Sequence, residues 1–192
     1  MKSYHDIKNF SDWSKTEKDQ YSIKVIKGLV MDATRKANSG HPGGPMSCAD
    51  FAYILYHDYL NFDPRNHEWF NRDRFVLSGG HMSMLQYSLL LLIGWLGMGD
   101  IKSFRQLHSR TPGHPEVEIP GVECTTGPLG QGFAMGVGMA HAEAYLHNLF
   151  RSLAEEAGQL VDHYTYVLAS DGDLQEPVTL GSASLAGHLG LS

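Results

Sequence analysis

Two stretches of this 192-residue chain share one pattern: a short apolar run breaks at a polar, glycine-containing loop and passes into a helix. In the first, Arg74-Phe75-Val76-Leu77 runs into Ser78-Gly79-Gly80-His81 and a helix from about Met82. In the second, Tyr164 to Ala169 runs into Ser170-Asp171-Gly172-Asp173, and Pro177 suits the first turn of the next helix. Short unbroken apolar runs read as strands buried on both faces, and long helical connections between them read as crossovers in a parallel sheet. The expectation is therefore an α/β domain with a parallel sheet flanked by helices. Ligands of such sheets bind beyond the carboxyl ends of the strands. The SGGH and SDGD loops are where chemistry is expected.

The rest of the chain supplies the helices. Ile23, Ile26, Leu29, Val30, Ala33 and Ala37 recur at three- and four-residue steps and predict a helix from about Thr16 to Asn38, stopped by Ser39-Gly40. The HPGGP loop (His41–Pro45) follows, and Ser47 with Asp50 reads as a weak capping box opening a second helix to about Leu60. A short helix is expected near Ile101–Leu107. A long one is expected from the GPLGQG loop (Gly127–Gly132) to about Leu153.

Composition narrows the function. Apolar residues at 42% and charged residues at 19% permit a packed core. A formal charge of −6 argues against a general nucleic-acid binder. Cys48 and Cys124 form no C-x-x-C pair, so neither a disulfide framework nor a zinc site is indicated. The polar start, Met1 to Phe10, has no signal-peptide core, and the apolar stretch Leu89 to Met98 is too short to span a bilayer. A cytoplasmic protein without a membrane partner is expected.

Eleven histidines stand out. His41 in GHPGG and His114 in GHP each sit between glycine and proline, so a stiff loop holds an imidazole where a substrate can approach; such groups donate to hydroxyls or polarise carbonyls. His81, between strand and helix, suits phosphate oxygens or is an ordinary polar loop residue. Asp171, just past a strand and before Gly172, is either part of a divalent-cation site or the start of an Asx turn. The GPLGQG loop matches neither dinucleotide nor P-loop fingerprint, but offers backbone N–H groups to an anion or flat ring. His141 and His147 lie on different faces of one predicted helix and cannot chelate together. They are read as surface groups, with His5, His57, His67 and His163.

In this order, the loops resemble the transketolase family. The matching segments are SGHPGGPMSCAD (39–50), DRFVLSGGHMSMLQYSLL (73–90), FRQLHSRTPGHPE (104–116), GVECTTGPLGQGFAMGVGMAHAE (121–143) and VDHYTYVLASDGD (161–173), colinear over roughly residues 20–192. The resemblance implies the thiamine-diphosphate-binding fold, incomplete at its C-terminus, with a lead-in over residues 1–15 and a diphosphate-binding domain over 16–192. It implies transfer of a two-carbon ketol unit from a ketose phosphate to an aldose phosphate, using thiamine diphosphate and Mg²⁺ or Ca²⁺. His81 and Gly172 would contact the cofactor diphosphate, Gly127, Pro128 and Leu129 would line the cofactor, and Asp171 would bind the metal. His41 and His114 would face the sugar as catalytic groups, with His108 in a supporting role.

The departures from the family are also specific. The metal motif G-D-G begins with Ser170 here, and the asparagine that follows it in the family falls beyond Ser192. Glu176 matches one family glutamate, but the next is Gly181. The family's ring-activating glutamate belongs to a further domain. A second copy, or a complementary pyrimidine-binding domain or subunit, is therefore an expected partner beside sugar phosphates, and this chain alone is expected to be inactive. Two alternatives stand beside the main reading. One is another thiamine-diphosphate ketol transferase, such as dihydroxyacetone synthase. The other is a non-catalytic subunit or truncated cofactor-binding or association module, which Ser170 and Gly181 favour and His41, His81 and His114 oppose.

Overall fold

The computed structural model describes residues 4–153 and 160–191. Residues 1–3 of the expected lead-in, residues 154–159 and the closing residue 192 lie outside the described part, as does the side chain of His5. A 3₁₀ segment over Tyr4–Asp12 leads to helix α1 (Lys15–Ala37). Ser14 caps it, accepting from the Glu17 N–H at 3.3 Å while the Glu17 carboxylate accepts from the Ser14 N–H at 2.9 Å. The helix stops at Asn38, in the left-handed region at φ 48°, rather than at Gly40. Asparagine tolerates that conformation better than most side chains.

Helix α2 (Gly43–Ile54) starts earlier than the Ser47–Asp50 pair suggested, with Pro42 in the capping position and no side-chain cap. The expected capping box does not form, because proline has already set a helical φ in this loop and Pro45 needs no hydrogen bond in the first turn. The helix runs on through a π turn (Leu55–Tyr59), so its end near Leu60 is as expected.

Strand β1 (Arg74–Leu77) and strand β2 (Thr165–Leu168) pair in parallel, Arg74 opposite Thr165 and Leu77 opposite Leu168. After β1, a 3₁₀ turn (Gly80–Met82) opens helix α3 (Ser83–Leu92), in which every residue from Ser83 to Leu90 is buried. The leucine run beyond it is thus core and connector: α3 ends at Leu92 and Gly94 turns the chain at φ 90°. No helix among the described residues is long and apolar enough to cross a membrane.

Helix α4 (Met98–Lys102) starts three residues before the expected Ile101–Leu107 and overlaps it only at Ile101 and Lys102. The Asp100 carboxylate accepts from the Gly97 N–H at 2.8 Å and fixes its start, while Arg105 at φ 59° forbids its continuation. Helix α5 (Gln131–Leu153), helix α6 (Asp171–Gln175) and helix α7 (Pro177–Leu189) complete the order, with Pro177 in the first turn of α7 as expected.

The sheet separates two packings. Phe75, Leu77, Tyr166 and Leu168 share one face and pack with Ile26, Ala49, Ala52, Leu85 and Leu89 from α1, α2 and α3. A second cluster, built from Val30, Met84, Tyr87, Leu90, Ile101, Phe104 and Val122, lies beyond α3. On the opposite face α5 approaches closely through glycines. A Cβ at Gly132 would stand 2.6 Å from the Ser78 α carbon, and one at Gly136 would collide with Val167. Both cysteines are free, and burial followed by the Glu123 charge pushes the Cys124 thiol up to about 11.

Candidate functional site

The carboxyl ends of both strands are joined through one buried carboxylate. Asp173 Oδ1 accepts from Ser78 Oγ and from the Gly130 N–H, both at 2.7 Å; Oδ2 accepts from the Ser170 N–H and Oγ, also at 2.7 Å. Ser78 Oγ in turn accepts from the Phe133 N–H at 2.9 Å. Asp173 thereby ties the end of β1, the loop entering α5 and the end of β2. Burial pushes its carboxyl pKa up, but the bonds from Gly130, Ser170 and Ser78 outweigh that and hold it below the usual value. Sequence reasoning singled out Asp171 and passed over Asp173. The S-x-x-D spacing of Ser170 and Asp173 was the available signal, since these two form the capping box of α6.

Ser170 is explained by the same contacts. Its hydroxyl turns inward to Asp173 and also accepts from the Asp173 N–H at 3.3 Å. The side chain that replaces a family glycine is therefore occupied in the cap and does not project into the loop's open side.

Three histidines from separate loops converge on this end of the sheet. The His41 and His81 rings lie edge to face, 5.2 Å between centroids. The His114 ring lies against Gly127, where a Cβ would stand 3.5 Å from it. Burial first, then the charge of Arg105 and the imidazoles of His41 and His81, holds His114 below the ordinary histidine value.

Buried polar groups on α3 place the His114 loop: Ser83 Oγ donates to the Gly113 carbonyl at 2.9 Å, and Tyr87 Oη donates to Pro112 and His114 carbonyls at 3.0 and 3.1 Å. The loop at Gly127 is held by Thr126 Oγ1, which donates to the Leu77 carbonyl at 2.8 Å. A Cβ at Gly80 would stand 2.7 Å from Thr126 Oγ1 and 2.9 Å from the Gly127 nitrogen, so only glycine lets the two loops touch.

Leu129 reaches Gly172, where a Cβ would stand 3.0 Å from Leu129 Cδ1, while Pro128 is exposed. Asp171 is exposed at the start of α6. No group of three or more His, Cys, Asp or Glu side chains that could hold a metal occurs among the described residues. His108 is exposed at φ 60°. Glu176 packs its Cβ where a side chain at Gly130 would go, and Gly181 faces open space on α7.

Of the remaining histidines, His141 is exposed and His57 pairs with Asp58 at 2.8 Å. Three depart from the surface reading: His67 is half-buried, its ring edge to face with Trp95 at 5.9 Å between centroids. His147 is half-buried, with Nδ1 2.8 Å from the Val161 carbonyl, and His163 is half-buried, with its Nδ1 unpaired. His141 and His147 line separate hollows, as the helical spacing required.

Against this geometry, the family model described as transketolase, thiamine diphosphate binding domain, matches residues 18–192. The chain belongs to the transketolase family. A transketolase from Staphylococcus epidermidis is 56% identical over 173 residues, which cover 90% of this chain and 26% of that protein. Among solved structures, transketolase from Leishmania mexicana superposes with a TM-score of 0.85 at 47% identity, over 89% of this chain and 25% of that one. A Pichia stipitis transketolase solved in complex with sedoheptulose 7-phosphate gives 0.84 at 48% identity, over 89% and 25%. The chain thus spans about a quarter of the length of the transketolases it matches.

Proposed function

We propose that this chain supplies the diphosphate-binding face, residues 16–192, of a transketolase that moves a two-carbon ketol unit from a ketose phosphate to an aldose phosphate. The observation that carries the proposal is the convergence of His41, His81 and His114 with the Gly127 loop beyond the carboxyl ends of two parallel strands. The sugar phosphate bound by the Pichia stipitis relative supports the substrate class.

The residues present fit the cofactor's charged end. Gly80 lets the Thr126–Gly127 loop close against it, Gly127 takes a φ of +159° that side chains rarely adopt, and Gly172 packs on the Leu129 tip, so these loops are lined by bare main chain where an anion would lie. His81 would donate to diphosphate oxygens, Pro128 and Leu129 would border the cofactor beside Gly127 and Gly172, and Asp171 would give one oxygen to Mg²⁺ or Ca²⁺. When bound, thiamine diphosphate supplies the nucleophilic carbon for the carbon–carbon bond change.

The chain's own work is to bind and to handle protons. His114, held below the ordinary histidine value by burial and then by the Arg105 charge, would as a neutral imidazole donate one hydrogen bond and accept another at a sugar hydroxyl or carbonyl oxygen. His41, its ring 5.2 Å from that of His81 between centroids, would orient the same substrate. A second copy or a complementary pyrimidine-binding domain would close the site. The setting would be the cytoplasmic pentose phosphate pathway.

The test is Asp171→Ala in the full-length protein, with thiamine diphosphate affinity measured by calorimetry with and without Mg²⁺. Loss of the Mg²⁺-dependent part of the affinity is expected; an unchanged affinity overturns the metal assignment.

A further inference from the structure

The proposal concerns Arg105, a residue for which neither composition nor spacing suggested any role. It lies just after α4 with φ at 59°, a left-handed conformation that strains a long side chain and persists only where its surroundings enforce it. The main chain there is held by the Arg105 N–H donating to the Thr111 carbonyl at 2.9 Å. The side chain then runs between the two histidine loops. Its Nη1 donates to Ser39 Oγ at 3.0 Å, two residues before His41. Its guanidinium lies flat against Gly113, where a Cβ would stand 2.9 Å from Cζ, one residue before His114. The carbon at its centre sits 5.6 Å from the Phe104 ring centroid, which adds a cation–π support.

Two features cost the fold stability without any structural return. The Nε atom is buried and has no hydrogen-bond partner. The positive charge also stands near the His114 imidazole and, after burial, makes it harder to protonate. A neutral side chain of similar length would fill the same gap without either cost.

We propose that Arg105 is a positioning residue that clasps the His41 loop to the His114 loop and so fixes the His114 imidazole that would face the sugar. The role of His114 in turnover rests on the function proposed above; the clasp does not. The charged and titratable groups facing His114 are Arg105, His41 and His81. Glu116, two residues further on, acts on buried Tyr87, whose hydroxyl is pushed up by burial and then by that charge.

The experiment uses the full-length protein and reads each imidazole by the pH dependence of its C2 hydrogen exchange, followed by mass spectrometry. Trypsin cleavage after Arg110 separates His108 from His114. In Arg105→Met the His114 pKa rises toward the ordinary histidine value, and amides in residues 39–41 and 111–114 exchange faster. Turnover falls about 10–100-fold while cofactor affinity stays within twofold, as expected for a misplaced substrate contact. Arg105→Lys keeps the charge and loses the planar fork, so His114 stays low while loop exchange still accelerates. An unmoved His114 pKa in Arg105→Met, or unchanged loop exchange in Arg105→Lys, overturns the proposal. Neither readout needs catalysis, so a failed ketol-transfer reading and a failed clasp give different results.

Discussion

The two strand–loop–helix units lie side by side in one sheet, and their surroundings differ sharply. Phe75, Val76 and Leu77 of β1 are at most 2% exposed, whereas every residue of β2 is half-buried. Helix α3, after β1, is enclosed by α1, α2 and the connector. Helix α7, after β2, leaves Leu180, Leu185 and Leu189 exposed. The loops follow suit: Ser78, Gly79 and Gly80 are buried, while Asp171 is open to solvent. Within these 192 residues, similar local sequence patterns thus stand enclosed in one case and open in the other. What separates them is how many elements pack around each unit, and Asp173 is the polar link between them.

The largest expected effect tests this contrast with one substitution placed twice. Leu85→Ala, at a fully buried site in α3, should destabilise by about 2–5 kcal/mol through lost burial and a cavity. Leu185→Ala, 51% exposed in α7, should stay within about 0.5 kcal/mol. Urea denaturation of the 192-residue chain measures both, and similar losses would erase the distinction between the units.

The link comes next. Asp173→Ala leaves the Ser78 hydroxyl and the Gly130 and Ser170 N–H groups without their acceptor and should cost roughly 2–4 kcal/mol. The pH dependence has a definite sign. The folded carboxyl lies below its unfolded value of 3.8, so its contribution is complete above about pH 4 and fades as pH falls through the folded value. The stability gap between the parent and Asp173→Asn should therefore narrow on acidification below pH 4; a gap constant down to pH 2 would mean the carboxylate's charge is not what the site uses.

The smallest effect has the opposite sign. A Cβ at Gly181 meets nothing within 4 Å, so Gly181→Ala should stabilise α7 by about 0.5–1 kcal/mol. Gly132→Ala, facing Ser78 main chain at 2.6 Å, should destabilise instead. Thermal melts of the pair sharpen which helix faces are packed and which are open.

The parts legible in sequence are those where local preference and packing agree. Arg74–Leu77, the α5 start after GPLGQG and Pro177 in the first turn of α7 all combine a short-range signal with a single packing solution. The α2 start departs from the Ser47–Asp50 spacing because the helical φ that Pro42 and Pro45 impose acts earlier in the chain. The early α4 was misread because its stop depends on Arg105 in a left-handed conformation, which no local preference announces. The histidine loops could be named from sequence, but not their convergence, which depends on Ser83 and Tyr87 reaching from a buried helix. Arg105 left no sequence signal because its role is a bridge between segments far apart in the chain.

The central claim is that one face divides its histidines between cofactor and sugar. The most direct measurement is thiamine diphosphate affinity, by calorimetry with Mg²⁺ present, alongside turnover, in His81→Ala, His41→Ala and His114→Ala of the full-length protein. His81→Ala should weaken cofactor binding about tenfold or more, since a hydrogen bond to a charged group is worth roughly 1.5–3 kcal/mol. His41→Ala and His114→Ala should leave affinity within twofold and lower turnover by about 10²–10⁴. Equal losses of cofactor affinity in all three would contradict the division.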